Sequence, residues 1–264
     1  MSNQPERQRP ATGDAAIITR RRFSLARLIY GVYAWIAFAC CAVFALLAVL
    51  LLPGVSRRRY WVTRFAQAPF ILAGVPVTIE GAGKLPSSPC IVVANHASYI
   101  DGVILQAFLP PRFSYVIKGE MKNVPVIGFL LRRIGAHFVD RNTVGRSARD
   151  ARTLLRAADN GDSLAFFPEG TFLPRPGLGA FRGGAFAASL RTRSPLVPVV
   201  IHGTRQLLPA TTLLPARTAL RVEILDPLDP AKTPDAKQLA ELARQRILAV
   251  LDEPDLLAEE HDRN

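Results

Sequence analysis

Cysteine is scarce, and what there is cannot crosslink or ligate in a common pattern. Three cysteines occur in 264 residues: Cys40 and Cys41 are adjacent inside an apolar run, and Cys90 has no CxxC partner. That excludes a disulfide framework and a zinc site built on cysteine, and is compatible with a reducing compartment. Signatures of several large enzyme classes are missing too. Gly83-Lys84 runs into Leu85 without the upstream glycine of a phosphate loop, no GxGxxG follows a strand, and neither GxSxG nor HExxH occurs. No metal or prosthetic group is implied. Lysine is absent through Arg64, where ten arginines face only two acids, Glu6 and Asp14. Most of the net charge of +12 therefore sits in the first quarter of the chain.

Charge is absent altogether between Arg27 and Arg57. Leu28 to Leu52 is an apolar run ending at Pro53, and at about 1.5 Å per helical residue it exceeds the roughly 30 Å hydrocarbon thickness of a bilayer. It continues past Ala37-Phe38-Ala39 and is too long for the apolar region of a signal peptide. Arg20, Arg21, Arg22 and Arg27 precede it, and Arg57, Arg58, Arg59 and Arg64 follow. Tyr30, Tyr33 and Trp35 lie near one end, Tyr60 and Trp61 beyond the other, as interfacial aromatics do. The charge balance across the run is nearly tied, which leaves a single span or a re-entrant hairpin with Tyr60 to Leu72 as its amphipathic second arm. Arginines beside an apolar span, rather than among strand aromatics, point to membrane lipids and away from nucleic acid.

Hydrophobic content of 49% with 20% charged residues excludes a disordered chain. The length suits one large α/β domain with an appendage. Four segments are expected: a basic tail 1–27, a membrane anchor 28–74, a main domain 75–230, and a C-terminal amphipathic helix with a solvated acidic tail, 231–264. In the main domain, strands are predicted near Val77 to Glu80, Cys90 to Ala94, Phe113 to Ile117, His137 to Asp140, Ser163 to Phe167, Leu196 to Ile201 and Leu220 to Leu225. Helices are predicted at Ile100 to Leu109, Arg146 to Ala158 and Arg182 to Thr192. Continuous apolar strands such as Ile91 to Ala94 imply burial on both faces, hence a central, mostly parallel sheet flanked by helices. Thr233 and Pro234 form the expected N-cap and first-turn pair of the last helix.

Asn95-His96-Ala97-Ser98-Tyr99-Ile100-Asp101 follows one of these buried strands directly. An imidazole can take a proton from a hydroxyl at neutral pH if a second group fixes its tautomer and stabilises the imidazolium. His96 in the turn, with Asp101 reaching back from the following helix, meets that need, and Ser98 is the expected N-cap. The alternative is a structural turn pair. A second element, Phe167-Pro168-Glu169-Gly170-Thr171, follows another buried strand, and Pro198 interrupts the apolar run Leu196 to Ile201.

Together with Gly135, Phe138 and Arg141 and with Val197-Pro198-Val199, these blocks resemble the glycerolipid acyltransferases, the family that includes 1-acylglycerol-3-phosphate acyltransferase. That family is defined by NHxxxxD, GxxFxxR-like, FPEGT and VPV blocks in this order. The resemblance runs from about Val77 to Leu225. It implies that His96 is the general base and that Asp101 orients it. Asn95, Arg141, Glu169, Gly170 and Thr171 would contact the acceptor, with the Gly170 and Thr171 amides completing an anion pocket and Glu169 acting structurally. The family usually has arginine after FPEGT, whereas this chain has Phe172. Arg175, flanked by Pro174 and Pro176, is the expected substitute, with Arg182 in reserve.

What the resemblance implies is a membrane-bound enzyme, with its catalytic domain on the cytoplasmic face. It would move a fatty acyl group from acyl-CoA or an acyl carrier protein thioester to the sn-2 hydroxyl of lysophosphatidic acid. Another lysolipid acceptor, such as a lyso-ornithine lipid, keeps the chemistry; a non-catalytic basic lipid-surface protein keeps only the fold.

Overall fold

The computed structural model describes residues 25–139 and 153–261. Its strands are β1 (Val77–Glu80), β2 (Ile91–Ala94), β3 (Phe113–Lys118), β4 (His137–Val139), β5 (Ser163–Phe166), β6 (Leu196–His202) and β7 (Leu220–Ile224). Among the described residues they form a seven-stranded sheet in the order β1-β7-β6-β2-β5-β3-β4. Strands β6, β2, β5, β3 and β4 run parallel. β7 is antiparallel to β6 and carries β1 parallel to itself. The sheet is mostly parallel, and its strands lie within about one residue of the sequence expectation.

The helices are α1 (Leu25–Leu51), α2 (Val55–Leu72), α3 (Asp101–Phe108), α4 (Ile127–Arg133), α5 (153–159), α6 (Gly184–Thr192), α7 (Thr204–Leu207), α8 (Ala236–Leu248) and α9 (Leu256–His261). The predicted helix from Arg146 begins outside the described residues. Alternation along β2 builds both layers of the core. Val92 and Ala94 pack with Ile104 and Leu105 of α3 and with Phe70 of α2, whereas Ile91 and Val93 pack with Leu154, Phe186 and Leu239 on the opposite face. All four β2 side chains are fully buried, which is why the strand reads as unbroken apolar sequence.

Helix α8 buries Leu239 and Ala243 in this same core and Ile247 in a cluster with Leu178 and Val200, so it is a layer of the main domain rather than an appendage. Its N-cap is Asp235, whose carboxylate accepts from Gln238 N at 2.8 Å, and not the expected Thr233. Asp235 has the extended backbone a cap requires, and Pro234 stands before it rather than inside the first turn.

Helix α1 lies along α2, with Ala45 and Val49 against Val62 and Ile134, and α2 in turn packs on α3. Several residues expected to face lipid are used in docking instead. Tyr30 and Tyr33 donate to the last carbonyls of the α2 end, Ala73 O at 3.2 Å and Leu72 O at 2.9 Å. Trp35 donates to Leu213 O at 2.6 Å. Arg59 donates to Ile134 O at 2.7 Å and to Ser114 Oγ, and Arg58 to Leu52 O at 2.8 Å. Carbonyls at helix and strand ends lack ladder partners, and these long donors supply them. The outer face of α1 stays exposed and apolar, with Ile29, Val32, Ile36, Val43, Phe44 and Leu47.

Candidate active site

Neighbouring parallel strands end on the same side of a sheet. Because β2 and β5 are such neighbours, the Asn95–Asp101 turn and the Phe167–Thr171 turn open beside each other at the carboxyl edge. Asp101, the first residue of α3, is fully buried. Its Oδ2 accepts from His96 Nδ1 at 2.8 Å and from the backbone amides of Ala97 at 2.6 Å and Ser98 at 2.7 Å. An acceptor so placed makes Nδ1 the protonated nitrogen and leaves Nε2 as the basic one. Oδ1 is buried without a partner among the described residues.

The turn thus caps itself through Asp101, and the expected Ser98 cap is corrected: the Ser98 hydroxyl donates to Leu208 O at 2.7 Å, tying the turn to the segment after β6. Two aromatic rings surround the imidazole. Phe167 stacks on it at 4.3 Å between centroids, and Phe172 meets it edge-on at 4.9 Å, with Tyr99 against Phe172 at 4.7 Å. The His96 side chain is 17% exposed, so the site is largely dry but reachable.

Glu169 reaches back across the gap between the turns. Its Oε1 accepts from the His96 amide at 2.8 Å and its Oε2 from the Gly179 amide at 2.9 Å. Burial raises its pKa above the usual carboxylate range, against the lowering effect of those two amides. Gly170 has φ of +80°, and its amide donates to Phe167 O at 3.0 Å, closing the turn. That amide is spent on the turn, which corrects its expected place in an anion pocket. Thr171 is exposed beyond it.

Asn95 is corrected as well. It is buried, its Nδ2 donates to Ile201 O at 3.0 Å, and its Oδ1 accepts from Ile201 N at 2.7 Å. The side-chain amide imitates one more rung of the β2–β6 ladder and is not aimed at a substrate.

The cations also differ from expectation. Arg141 lies outside the described residues. Arg175 is half-exposed and pairs with Glu259 at 3.7 Å. Among the described residues, Arg182, the reserve, reaches the Phe167–Thr171 turn, its Nε donating to Glu169 O at 3.4 Å and its amide to Pro168 O at 2.9 Å. Sequence spacing favoured the nearer arginine; the loop folds back and brings the farther one. Lys118, at the end of β3, pairs with Glu120 at 2.8 Å.

The family model for the acyltransferases matches residues 76–202, which contain β1 through β6 and both turns. A 1-acyl-sn-glycerol-3-phosphate acyltransferase of Saccharomyces cerevisiae is 28% identical over 228 residues, 83% of this chain and 75% of that protein. A lyso-ornithine lipid O-acyltransferase of Pseudomonas aeruginosa is 27% identical, over 73% of this chain and 77% of its own. The crystal structure of a 1-acyl-sn-glycerophosphate acyltransferase from Thermotoga maritima shares the fold, with a TM-score of 0.72 at 22% identity over 84% of this chain and 93% of that one. Residues 76–202 thus match the acyltransferase family, and the chain has the fold of that Thermotoga maritima protein.

Proposed function

We propose that the protein transfers a fatty acyl group from a carrier thioester to the sn-2 hydroxyl of lysophosphatidic acid, giving phosphatidic acid and a free thiol. The observation that carries this reading is the buried Asp101 carboxylate at 2.8 Å from His96 Nδ1, which leaves Nε2 to act as base. Nε2 takes the acceptor hydroxyl proton as the oxygen attacks the thioester carbonyl carbon. The tetrahedral adduct collapses, the C–S bond breaks, and the imidazolium returns its proton to the departing thiolate. His96 and Asp101 are the catalytic pair. Phe167, stacked on the imidazole, and Phe172, edge-on to it, keep water from competing with the acceptor. Arg182 and Arg141 are assigned to the acceptor phosphate, as charge-assisted donors.

The helix pair is assigned to one leaflet. Since α1 rests along α2 and α2 on α3, the exposed apolar face of α1 meets lipid while the α/β domain stays outside. Tyr30, Trp35, Phe38, Phe70, Ile100 and Leu208 line an apolar cleft between this pair and the His96 turn, on the route an acyl chain would take. The catalytic domain then works on the cytoplasmic face, where acyl-CoA and acyl carrier protein are found.

A second reading, a lyso-ornithine lipid acceptor, is favoured by Phe172 standing where the family usually has a cation, and by the similarity to the Pseudomonas aeruginosa enzyme. One assay tests both. Protein in membranes is given an acyl thioester with each lysolipid in turn, and free thiol is measured. Thiol release with lysophosphatidic acid, lost in a folded His96→Ala variant, is the expected result. Release only with the lyso-ornithine lipid selects the second reading, and no release with any lysolipid leaves a non-catalytic lipid-surface protein.

A further inference from the structure

We infer that the segment Asp252 to Asp255, expected to be a solvated tail, is a clasp that positions the His96 turn, with Glu253 and Asp255 as positioning residues. The inference rests on the proposed acyl transfer and adds a requirement to it. Glu253 lies in a two-pronged pair with Arg205 of α7, at 2.8 Å and 3.0 Å, and its Oε2 also accepts from the Gly177 amide at 2.7 Å. The same Arg205 donates to Leu173 O at 2.7 Å and Pro174 O at 3.3 Å. One guanidinium therefore holds the C-terminal segment and the loop that follows Thr171. Arg205 and Glu253 side chains are only 11% and 16% exposed.

A second guanidinium repeats this arrangement. Arg244 of α8, buried at 4% exposure, pairs with Asp255 and donates to Gly179 O at 3.1 Å and Leu178 O at 3.2 Å. Between the two, Leu178 and Asp255 form a parallel bridge, with Leu178 N donating to Pro254 O at 2.9 Å. Gly177 has φ of +131°, and Leu256 occupies the space a Cβ would need there. The 173–179 loop is thus pinned along its length to the C-terminal segment.

That loop ends in the contact that matters. Gly179 N donates to Glu169 Oε2, and Glu169 Oε1 accepts from the His96 amide. Displacing the loop removes one of the two amides that hold the Glu169 carboxylate against the His96 backbone. Reaction geometry is sensitive to ångström shifts, so the cost falls on turnover. Forked arginine–carboxylate pairs with little solvent hold position better than single exposed pairs, because both planes are fixed.

The test uses the full chain in membranes with acyl-CoA and lysophosphatidic acid. Glu253→Gln keeps the shape and removes the charge, and Arg205→Lys keeps the charge and removes the fork. Each is expected to lower kcat about ten- to a hundred-fold, with KM for both substrates within about twofold and the melting temperature nearly unchanged; Glu253→Asp should recover part of the rate. Amide exchange at Gly177, Gly179 and His96 is expected to quicken in the slow variants. Wild-type kcat in Glu253→Gln and Arg205→Lys, or a rate loss that only follows a loss of folded protein, would overturn the clasp. Failure of the wild-type protein to release thiol would instead overturn the proposed reaction, and the exchange measurement would then decide the clasp alone.

Discussion

Replacing Asp101 by asparagine isolates one role of that residue. Three donors converge on Oδ2, two of them backbone amides of Ala97 and Ser98 that cannot move away. An asparagine side chain must therefore present its carbonyl oxygen to them and its NH2 to the Oδ1 position. The oxygen still accepts from His96 Nδ1, so tautomer and ring orientation survive, and only the charge is lost. A charge on the imidazolium about 4 Å from the carboxylate is worth about 4 kcal/mol at an effective dielectric near 20. With the proton half to fully transferred in the transition state, the loss is about 2–4 kcal/mol, or roughly thirty- to nine-hundred-fold in kcat. The buried NH2 meets no acceptor at Oδ1 and costs about 1–3 kcal/mol of stability, so folding is checked by thermal melting first. Thiol release under saturating lysolipid gives kcat. A folded Asp101→Asn protein with kcat within threefold of wild type would refute the argument, as would a change confined to KM.

Three further outcomes are expected. Asn95→Ala leaves the Ile201 N–H and C=O unpaired in the core and should cost about 2–4 kcal/mol of stability; a change in lysolipid KM without loss of melting temperature would return Asn95 to the substrate. Phe172→Ala removes one of two rings on His96, and aromatic pairs of this kind are worth about 0.5–1.5 kcal/mol, so kcat should fall about two- to tenfold; an unchanged rate excludes a role for the ring. Burial holds the pKa values of His137 and His202 below the ordinary value, so their contribution to stability is present above about pH 6.5 and is lost as pH falls below it. Melting in detergent at pH 7.5 and 5.5 should show that loss, and His202→Gln should reduce it; equal melting temperatures for the wild-type protein would contradict the assignment.

The central strands were legible because they had to be buried on both faces, as at Ile91–Ala94 and Ser163–Phe166. The His96–Asp101 pair was legible because its members are five residues apart and the geometry is local. What escaped was nonlocal. Nothing in the sequence of β7 states that it runs antiparallel to β6, since that depends on the route of the loop between them. Arg59 reads as a lipid-facing flank until Ile134 O, 75 residues away, becomes its acceptor. Asp235 took the cap from Thr233, two residues earlier: both have extended backbone, but the helix starts at Ala236, which puts Gln238 N within reach of Asp235. Glu253 and Asp255 carry no pattern at all; their partners Arg205 and Arg244 were ordinary surface arginines in one dimension.

The turn that carries His96 depends on three neighbouring strands, and the attachments explain why separate sequence blocks occur together. β2 supplies the chain itself. From β5 comes Glu169, which holds the His96 amide, and from β6 comes Ile201, which pairs with Asn95. The amides of residues 96, 97 and 98 are all donated to carboxylates, the first to Glu169 and the next two to Asp101. Two acids thus fix the backbone, while only Asp101 also faces the imidazole. On this geometry the Val197-Pro198-Val199 block belongs to a strand that shapes the site from the side: its register with Val92 to Ala94 sets where Ile201 stands beside Asn95. Moving that register by one residue would turn the Ile201 N–H and C=O away from Asn95, since bonding groups alternate along a strand. The base would then be lost without any change in its own residues.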